Sequence, residues 1–260
     1  EGQEVVVTGE RQRFERQVEV SAVSLSMRDV KLMPAFVEAD IFRTLQLLPG
    51  VQSSSDFSSA LVVRGGSPDE NLIMLDGIEI YNPFHLGGVF STFNADAIAD
   101  AEFIAGGFPA KYGNRISSVL SITGREGDSR HNKLFAGTKL GEYFDVSQVA
   151  GEVNLLSSKL LLEGPVGKGS WMFSGRRTYF DQLARLYYWA KDEPMDWSYY
   201  FYDFQGKVIQ NMNPTNRLSY SQYQGRDRIE FQLEQASSDV NFRWDWGNST
   251  KSVAWRWVPN

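Results

Sequence analysis

The chain changes its hydrophobic rhythm near its midpoint. Before residue 130, apolar runs are short and broken by glycine, proline and small polar residues. From Asn132 onward, apolar and polar residues alternate over stretches of about ten, which predicts antiparallel β-strands. Tyr200, Tyr202, Phe204 and Val208 fall on one strand face, with Asp203, Gln205 and Lys207 on the other. Val240, Phe242, Trp244 and Trp246 oppose Asn241, Arg243 and Asp245, and Val253, Trp255 and Trp257 oppose Ser252 and Arg256. We read all these aromatic residues as facing outward to lipid and their charged neighbours as facing inward, as in the wall of a transmembrane barrel. A soluble β-sandwich also alternates, but its apolar face favours aliphatic residues. About six strands are expected. Gly164–Gly169, Asn211–Asn216 and Pro259-Asn260 are read as short turns, and Phe180–Ser198 and Gln224–Ser238 as long loops.

The first half predicts a small α+β unit. Glu4–Gly9 is a short β-prone run, and Phe14–Val30 an early strand with an irregular connection. Val37, Ile41, Leu45 and Leu48 recur at helical spacing, after Pro34 and before Pro49-Gly50. Leu61–Val63 and Leu72–Leu75 bracket a loop with Gly65, Gly66, Pro68 and Asp69, the signal of a hairpin with a longer loop. At the Asp76-Gly77 turn, Gly77 supplies a positive φ and Asp76 caps its own backbone. Asn94 caps a short helix running to Asp100, and a strand follows over Ala101–Ala105. Gly106-Gly107 and Tyr112-Gly113 punctuate another strand pair, with Ile116, Leu120 and Ile122 on one face and Ser118 between them. Thr123–Arg130 is a polar exit linker.

Five motifs in this half occur in a distinctive order: Val63-Arg64-Gly65-Gly66, Leu75-Asp76-Gly77, Asn82-Pro83, Ala101-Glu102-Phe103-Ile104 and Lys111-Tyr112-Gly113. In order and spacing they resemble the plug domain of TonB-dependent outer-membrane receptors. The plug-motif positions are Arg64, Gly65, Gly66, Asp76, Gly77, Pro83, Tyr112 and Gly113. The resemblance implies an α+β plug followed by antiparallel transmembrane β-barrel strands, an incomplete part of a roughly 22-stranded barrel. The expected domains are residues 1–13 as a TonB-box-like segment, 14–126 as plug, and 127–260 as the first barrel strands. Glu4, Val5, Val6, Val7 and Thr8 resemble a TonB box, which a partner takes up by strand addition.

Charge and composition support two jobs. Net charge is −6: residues 1–126 hold 10 Lys+Arg and 17 Asp+Glu, and residues 127–260 hold 16 and 15. That balance argues against nucleic-acid binding. All seven Trp lie after residue 170, which marks the C-terminal half as the membrane part. The absence of cysteine excludes disulfides and a thiol nucleophile. The start lacks the basic region and apolar core of a signal peptide, so either such a segment was removed or the chain is internal to a longer one. No apolar run of about 18 residues is present for a transmembrane helix.

Candidate chemistry is sparse. Gly167-Lys168-Gly169-Ser170 fails the phosphate-loop pattern and reads as a turn. No zinc, triad or acid–base motif is visible, so no enzyme, cofactor or metal is expected. His85 is read as a solvated loop side chain. Arg176-Arg177 is an ordinary strand pair, or else its inward member meets acidic plug residues. By resemblance the function is TonB-dependent uptake of a siderophore, cobalamin, glycan or peptide across the outer membrane of a Gram-negative-type bacterium, with plug and N-terminus on the periplasmic side. TonB acts with ExbB and ExbD; outer-membrane lipid and a surface lipoprotein are further candidate partners. Ligand-contact candidates are Ser67, Asp69, Tyr81, Phe84 and His85. The alternatives are a passive porin or adhesin, which needs no plug, and a soluble carbohydrate-binding β-protein, which leaves the plug motifs unexplained.

Overall fold

The computed structural model describes residues 22–33, 38–55, 58–130, 148–153, 156–235 and 238–259. In the N-terminal unit the strands are β1 (Ala22–Ser26), β2 (Val51–Ser53), β3 (Leu61–Val63), β4 (Asn71–Leu75), β5 (Ile78–Glu79), β6 (Phe84–His85), β7 (Phe90–Ser91), β8 (Ile98–Ile104) and β9 (Ser118–Gly124). Its main sheet has the order β1-β8-β9-β4-β5, with β4 and β9 parallel. Two short helices pack on it, α1 (Met27–Leu32) and α2 (Ile41–Leu45). Phe42, Leu45, Phe103, Leu120 and Ile122 are almost wholly buried in one cluster, each worth about 1.5–3 kcal/mol of apolar transfer.

Local chemistry explains the boundaries. The Asp40 carboxylate accepts from the N–H groups of Phe42 (2.8 Å) and Arg43 (3.4 Å), which starts α2. Gly50, at φ 78°, carries the chain away after Pro49. Asn94 caps only a 3-10 turn over Ala95–Ala97, and strand β8 starts at Ile98, earlier than expected. Asp76 (φ 51°) and Gly77 (φ 81°) form the two-residue β4–β5 turn, both residues left-handed as a type I′ hairpin needs. Asp76 does not cap its own backbone. Its Oδ1 accepts from Gly124 N–H at 3.1 Å and from Lys207 Nζ at 2.7 Å.

The hairpin expected between Leu61–Val63 and Leu72–Leu75 does not form. Pro68 begins a 3-10 turn over Pro68–Glu70, in which Ser67 N–H donates to Glu70 at 3.2 Å. The turn sends the chain sideways. β3 therefore pairs with β2, and β4 finds its partner in β9.

The second half is a six-stranded antiparallel wall: β10 (Gln148–Val153), β11 (Ser157–Val166), β12 (Gly169–Thr178), β13 (Trp197–Asn213), β14 (Asn216–Gln235) and β15 (Ser238–Trp257), in sequential order. Gly167-Lys168 and Pro214-Thr215 make the two short turns foreseen. The other two connections differ from expectation. Phe180–Lys191 is a helix, α3, closed by left-handed Asp192. The stretch from Gln224 is no long loop, because β14 continues to Gln235 and β15 starts at Ser238.

Residues directly opposed in an antiparallel pair share a face. Val208, Tyr220 and Val253 are such a row and point away from the N-terminal unit, with Trp255 and Trp257 on the same side. Trp246 opposes Asp227, which opposes Phe201, and all three face the N-terminal unit. Trp244 and Trp246 therefore lie on the inner face, and Arg243 and Asp245 on the outer one, the reverse of the sequence expectation. The reason is parity: β14 and β15 pair without a register shift, so even positions such as 244 cannot share a face with odd ones such as 255.

Candidate functional site

The N-terminal unit sits against the inner face of the wall, and its loop over residues 81–91 carries the densest polar contact between them. His85 is buried, at 1 % exposure, contrary to the solvated loop residue expected. Its Nδ1 lies 2.6 Å from Asp227 and its Nε2 2.7 Å from Asp203. The ring stacks on Phe201, with centroids 4.0 Å apart and planes 11° from parallel. Asp203 stands on β13 and Asp227 on β14, so two adjacent wall strands grip one side chain of the N-terminal unit.

Both carboxylates are further bound. Asp227 accepts from Leu86 N–H at 3.1 Å and from the Tyr199 hydroxyl. Asp203 accepts from Arg176 Nε at 2.7 Å and lies 2.9 Å from the Tyr223 hydroxyl, itself 3.1 Å from the Thr92 carbonyl. Arg176 also donates to the Ser91 carbonyl at 2.7 Å and to Glu38, and Lys159 meets Glu38 at 2.5 Å. The sharper of the two arginine readings holds: Arg176 faces inward onto an acidic residue, while Arg177 faces outward and pairs with Asp181 at 2.9 Å.

The charges balance under one condition. Glu38, Asp203 and Asp227 supply three negative charges; Lys159 and Arg176 supply two positive ones. The third is His85 as imidazolium, the form with a proton on both nitrogens to donate to both carboxylates. Burial alone favours the neutral ring, but the charges and hydrogen bonds of Asp203 and Asp227 outweigh it and raise the pKa above its usual value. Burial likewise works against ionised Glu38, yet Arg176 and Lys159 hold its pKa below the usual value. A buried ion network like this one contributes little net stability, but removing one member leaves a desolvated charge and costs several kcal/mol.

Lesser tethers flank the network. Asn94 Nδ2 donates to Ser174 at 2.8 Å, Asn248 Nδ2 to the Asn82 carbonyl at 2.5 Å, and Lys207 to Asp76 and to the Gly124 carbonyl. Where the N-terminal unit leads out, Arg125 meets Glu163 at 2.7 Å and Glu126 meets Arg217.

The residues marked by the sequence play unequal parts. Arg64 (φ 50°) and Gly65 (φ 80°) turn the chain, and Gly66 has no room for a Cβ beside Glu70 and Ser117. The Pro83 carbonyl accepts from Thr92 N–H, closing the 81–91 loop. Tyr112 packs against Leu72, Ile104 and Val119, and open space surrounds Gly113. Among the ligand-contact candidates, Tyr81 is 84 % exposed and Asp69 lies on an open turn, its carboxyl held below the usual pKa by a hydrogen bond with Ser67. The Phe84 ring packs on Phe42 at 5.0 Å, and His85 is sealed. Glu4, Val5, Val6, Val7 and Thr8 lie outside the described residues. Sequence reasoning missed Glu38, Lys159, Tyr199, Tyr223 and Asp227. Tyr199 and Asp203 share the odd-numbered inner face of β13, a signal that parity carried. The supposed loop hid Asp227.

A folded stopper locked to the inside of an antiparallel wall with an aromatic outer face is the architecture of part of a plugged β-barrel. Residues 17–119 match the family model described as TonB-dependent Receptor Plug Domain, and the strands that follow this unit are arranged like the wall strands of such receptors. The fold is similar to that of the ferric enterobactin receptor PfeA from Pseudomonas aeruginosa (TM-score 0.59, 17 % identity, 94 % of this chain and 39 % of that one). It is also similar to FpvA of P. aeruginosa (TM-score 0.52, 14 % identity, 92 % of this chain and 31 % of that one) and to the copper transporter OprC (TM-score 0.51, 13 % identity, 90 % and 38 %). The chain thus spans about two fifths of the length of PfeA.

Proposed function

We propose that this chain is the gate and first wall section of an outer-membrane transporter driven by TonB. The reading takes residues 1–13 as the TonB-binding segment, 14–126 as the plug and 127–260 as the wall. The observation that carries it is the buried network around His85. A permanent stopper is most simply held by apolar packing, whereas a stopper joined by charged hydrogen bonds has partners that water can satisfy once it moves. Ligand outside would loosen the terminal segment inside; TonB, with ExbB and ExbD, would pair with Glu4–Thr8 as an added strand and pull.

The short turns at Gly167-Lys168 and Pro214-Thr215 would then face the periplasm. The cargo is a nutrient of the siderophore, cobalamin, glycan or peptide kind. Tyr81, Ser67 and Asp69 are the plug positions we assign to it, together with Trp244, which is 60 % exposed on the inner face of β15, the strand that meets the 81–91 loop. The Asn82–Asn248 pair joins that loop to β15.

The deciding experiment is binding of a peptide of residues 1–13 to the C-terminal domain of TonB. Binding that is lost on Val6→Pro is expected, because proline removes a ladder donor. A peptide that does not bind would leave a passive porin or adhesin as the better account.

A further inference from the structure

The outer face of the wall carries a second polar feature that the plug lock does not use. Moving along β13–β15 from the Pro214-Thr215 turn, the outward side chains begin as an apolar belt: Val208, Tyr220, Val253, Trp255 and Trp257. Beyond it the same face turns cationic. Arg226, Arg228 and Arg243 gather around one carboxylate, Asp245, at 3.5, 2.7 and 3.4 Å. Their side chains are 44 %, 30 % and 61 % exposed, while Asp245 is 17 % exposed.

The cluster is braced. Tyr200 lies between two guanidiniums, Arg177 at 4.8 Å and Arg228 at 5.7 Å from its ring centroid, and its hydroxyl accepts from Arg228 at 3.0 Å. Lys251 opposes Gln222 lower on the same face, and Glu230 opposes Arg243. Apart from the Arg177–Asp181 pair, and among the side chains described, four cations here face two anions, in a chain whose net charge is −6. Three guanidiniums on one carboxylate leave fork-shaped donors without a matched acceptor, a geometry suited to phosphate oxygens.

We propose that Arg226, Arg228 and Arg243 form a docking site for the phosphate of a membrane lipid headgroup at the rim of the lipid-facing belt. Two features select a lipid over free phosphate. The cluster continues the apolar surface on which acyl chains lie, and it faces away from the plug and the transport path. A headgroup bound here would hold β14 and β15 at a set depth, since phosphate and acyl chain grip different levels of the same strands. Asp245 keeps the guanidiniums together and competes with the incoming phosphate.

Headgroup docking presupposes a wall standing in lipid, which quenching of Trp255 and Trp257 by brominated lipid tests separately. The probe is dioctanoyl phosphatidic acid, titrated into the full-length protein in neutral detergent and counted by native mass spectrometry. Dioctanoyl phosphatidylcholine and inorganic phosphate are the comparison ligands. We expect saturable phosphatidate binding, weakened at least tenfold in the Arg226→Gln/Arg228→Gln/Arg243→Gln variant and strengthened in Asp245→Asn. The second variant keeps every arginine, so opposite shifts in the two cannot arise from a misfolded wall. Equal phosphatidate affinity in wild type and the triple variant, equal binding of phosphatidylcholine, or displacement by stoichiometric inorganic phosphate would each overturn the lipid-phosphate site.

Discussion

His85 of the plug and Asp227 of strand β14 meet at 2.6 Å inside the protein, 142 residues apart in sequence. Asp203 faces the opposite ring nitrogen, so this imidazole joins the plug to two strands at once. The consequences for stability and gating follow from charge balance.

Raising pH should loosen the plug. The folded-state pKa of His85 is raised above the ordinary value of 6.5. Its contribution is complete below that ordinary value and is lost as pH rises through the folded value. Deprotonation leaves the network one negative charge in excess, at a cost of up to about 3–5 kcal/mol. Hydrogen exchange of the 81–91 backbone in the full-length protein, followed from about pH 6 to about pH 10 and corrected for the intrinsic hydroxide-catalysed rate, should show protection falling as pH rises. His85→Gln should flatten that dependence; an unchanged slope would show that another group titrates.

The two adjacent arginines should behave differently. Arg176→Met strands Glu38 and Asp203 in the interior and should cost about 3–5 kcal/mol. Arg177→Met removes a partly exposed pair with Asp181 and should cost no more than about 1 kcal/mol. Detergent unfolding midpoints of the full-length variants decide it, and comparable losses would contradict the inward and outward assignment.

Face assignment makes an optical prediction. In bilayers of brominated lipid, Trp255→Phe or Trp257→Phe should remove quenchable emission, because both rings lie on the outer face. Trp244→Phe should leave the amplitude of lipid-quenched emission unchanged and reduce the amplitude quenched by aqueous acrylamide. A lipid-quenched Trp244 would place β15 the other way round.

Glycine positions offer a steric test. A Cβ on Gly169 would stand 1.8 Å from the Ile209 carbonyl oxygen, so Gly169→Ala must push β12 off β13. Gly113 has nothing within 4 Å, and Gly113→Ala should change stability by about 0.5 kcal/mol or less. Heat-modified electrophoretic mobility of the assembled barrel should shift only for the first.

Much of the architecture is legible in the sequence. The period-two runs after residue 197 gave the wall strands, Gly167-Lys168 and Pro214-Thr215 gave two of their turns, and Asp76-Gly77 gave the hairpin turn of the plug, because alternation and turn-forming residues are local properties. The inward Asp203, Gln205 and Lys207 were legible for the same reason. Parity could also have separated Trp244 from Trp255, since eleven intervening bonds of unbroken strand put them on opposite faces; only the bulge-free register of β14 with β15 excludes a compensating kink.

Pairing and burial were decided by the tertiary structure. The turn at Pro68 only directs Leu61–Val63 away from Asn71–Leu75; that it then pairs with Val51–Ser53, and Asn71–Leu75 with Ser118–Gly124, was settled by which edges the whole fold leaves free. The role of His85 was hidden for the same physical reason. A lone loop histidine is ordinarily solvated and near neutral, and it becomes a buried cation only when folding brings two carboxylates from distant strands to its two nitrogens. What the sequence determined by itself is the alternation, the turns and the plug motifs; which charges would meet in the interior depended on distances that no sequence pattern contains.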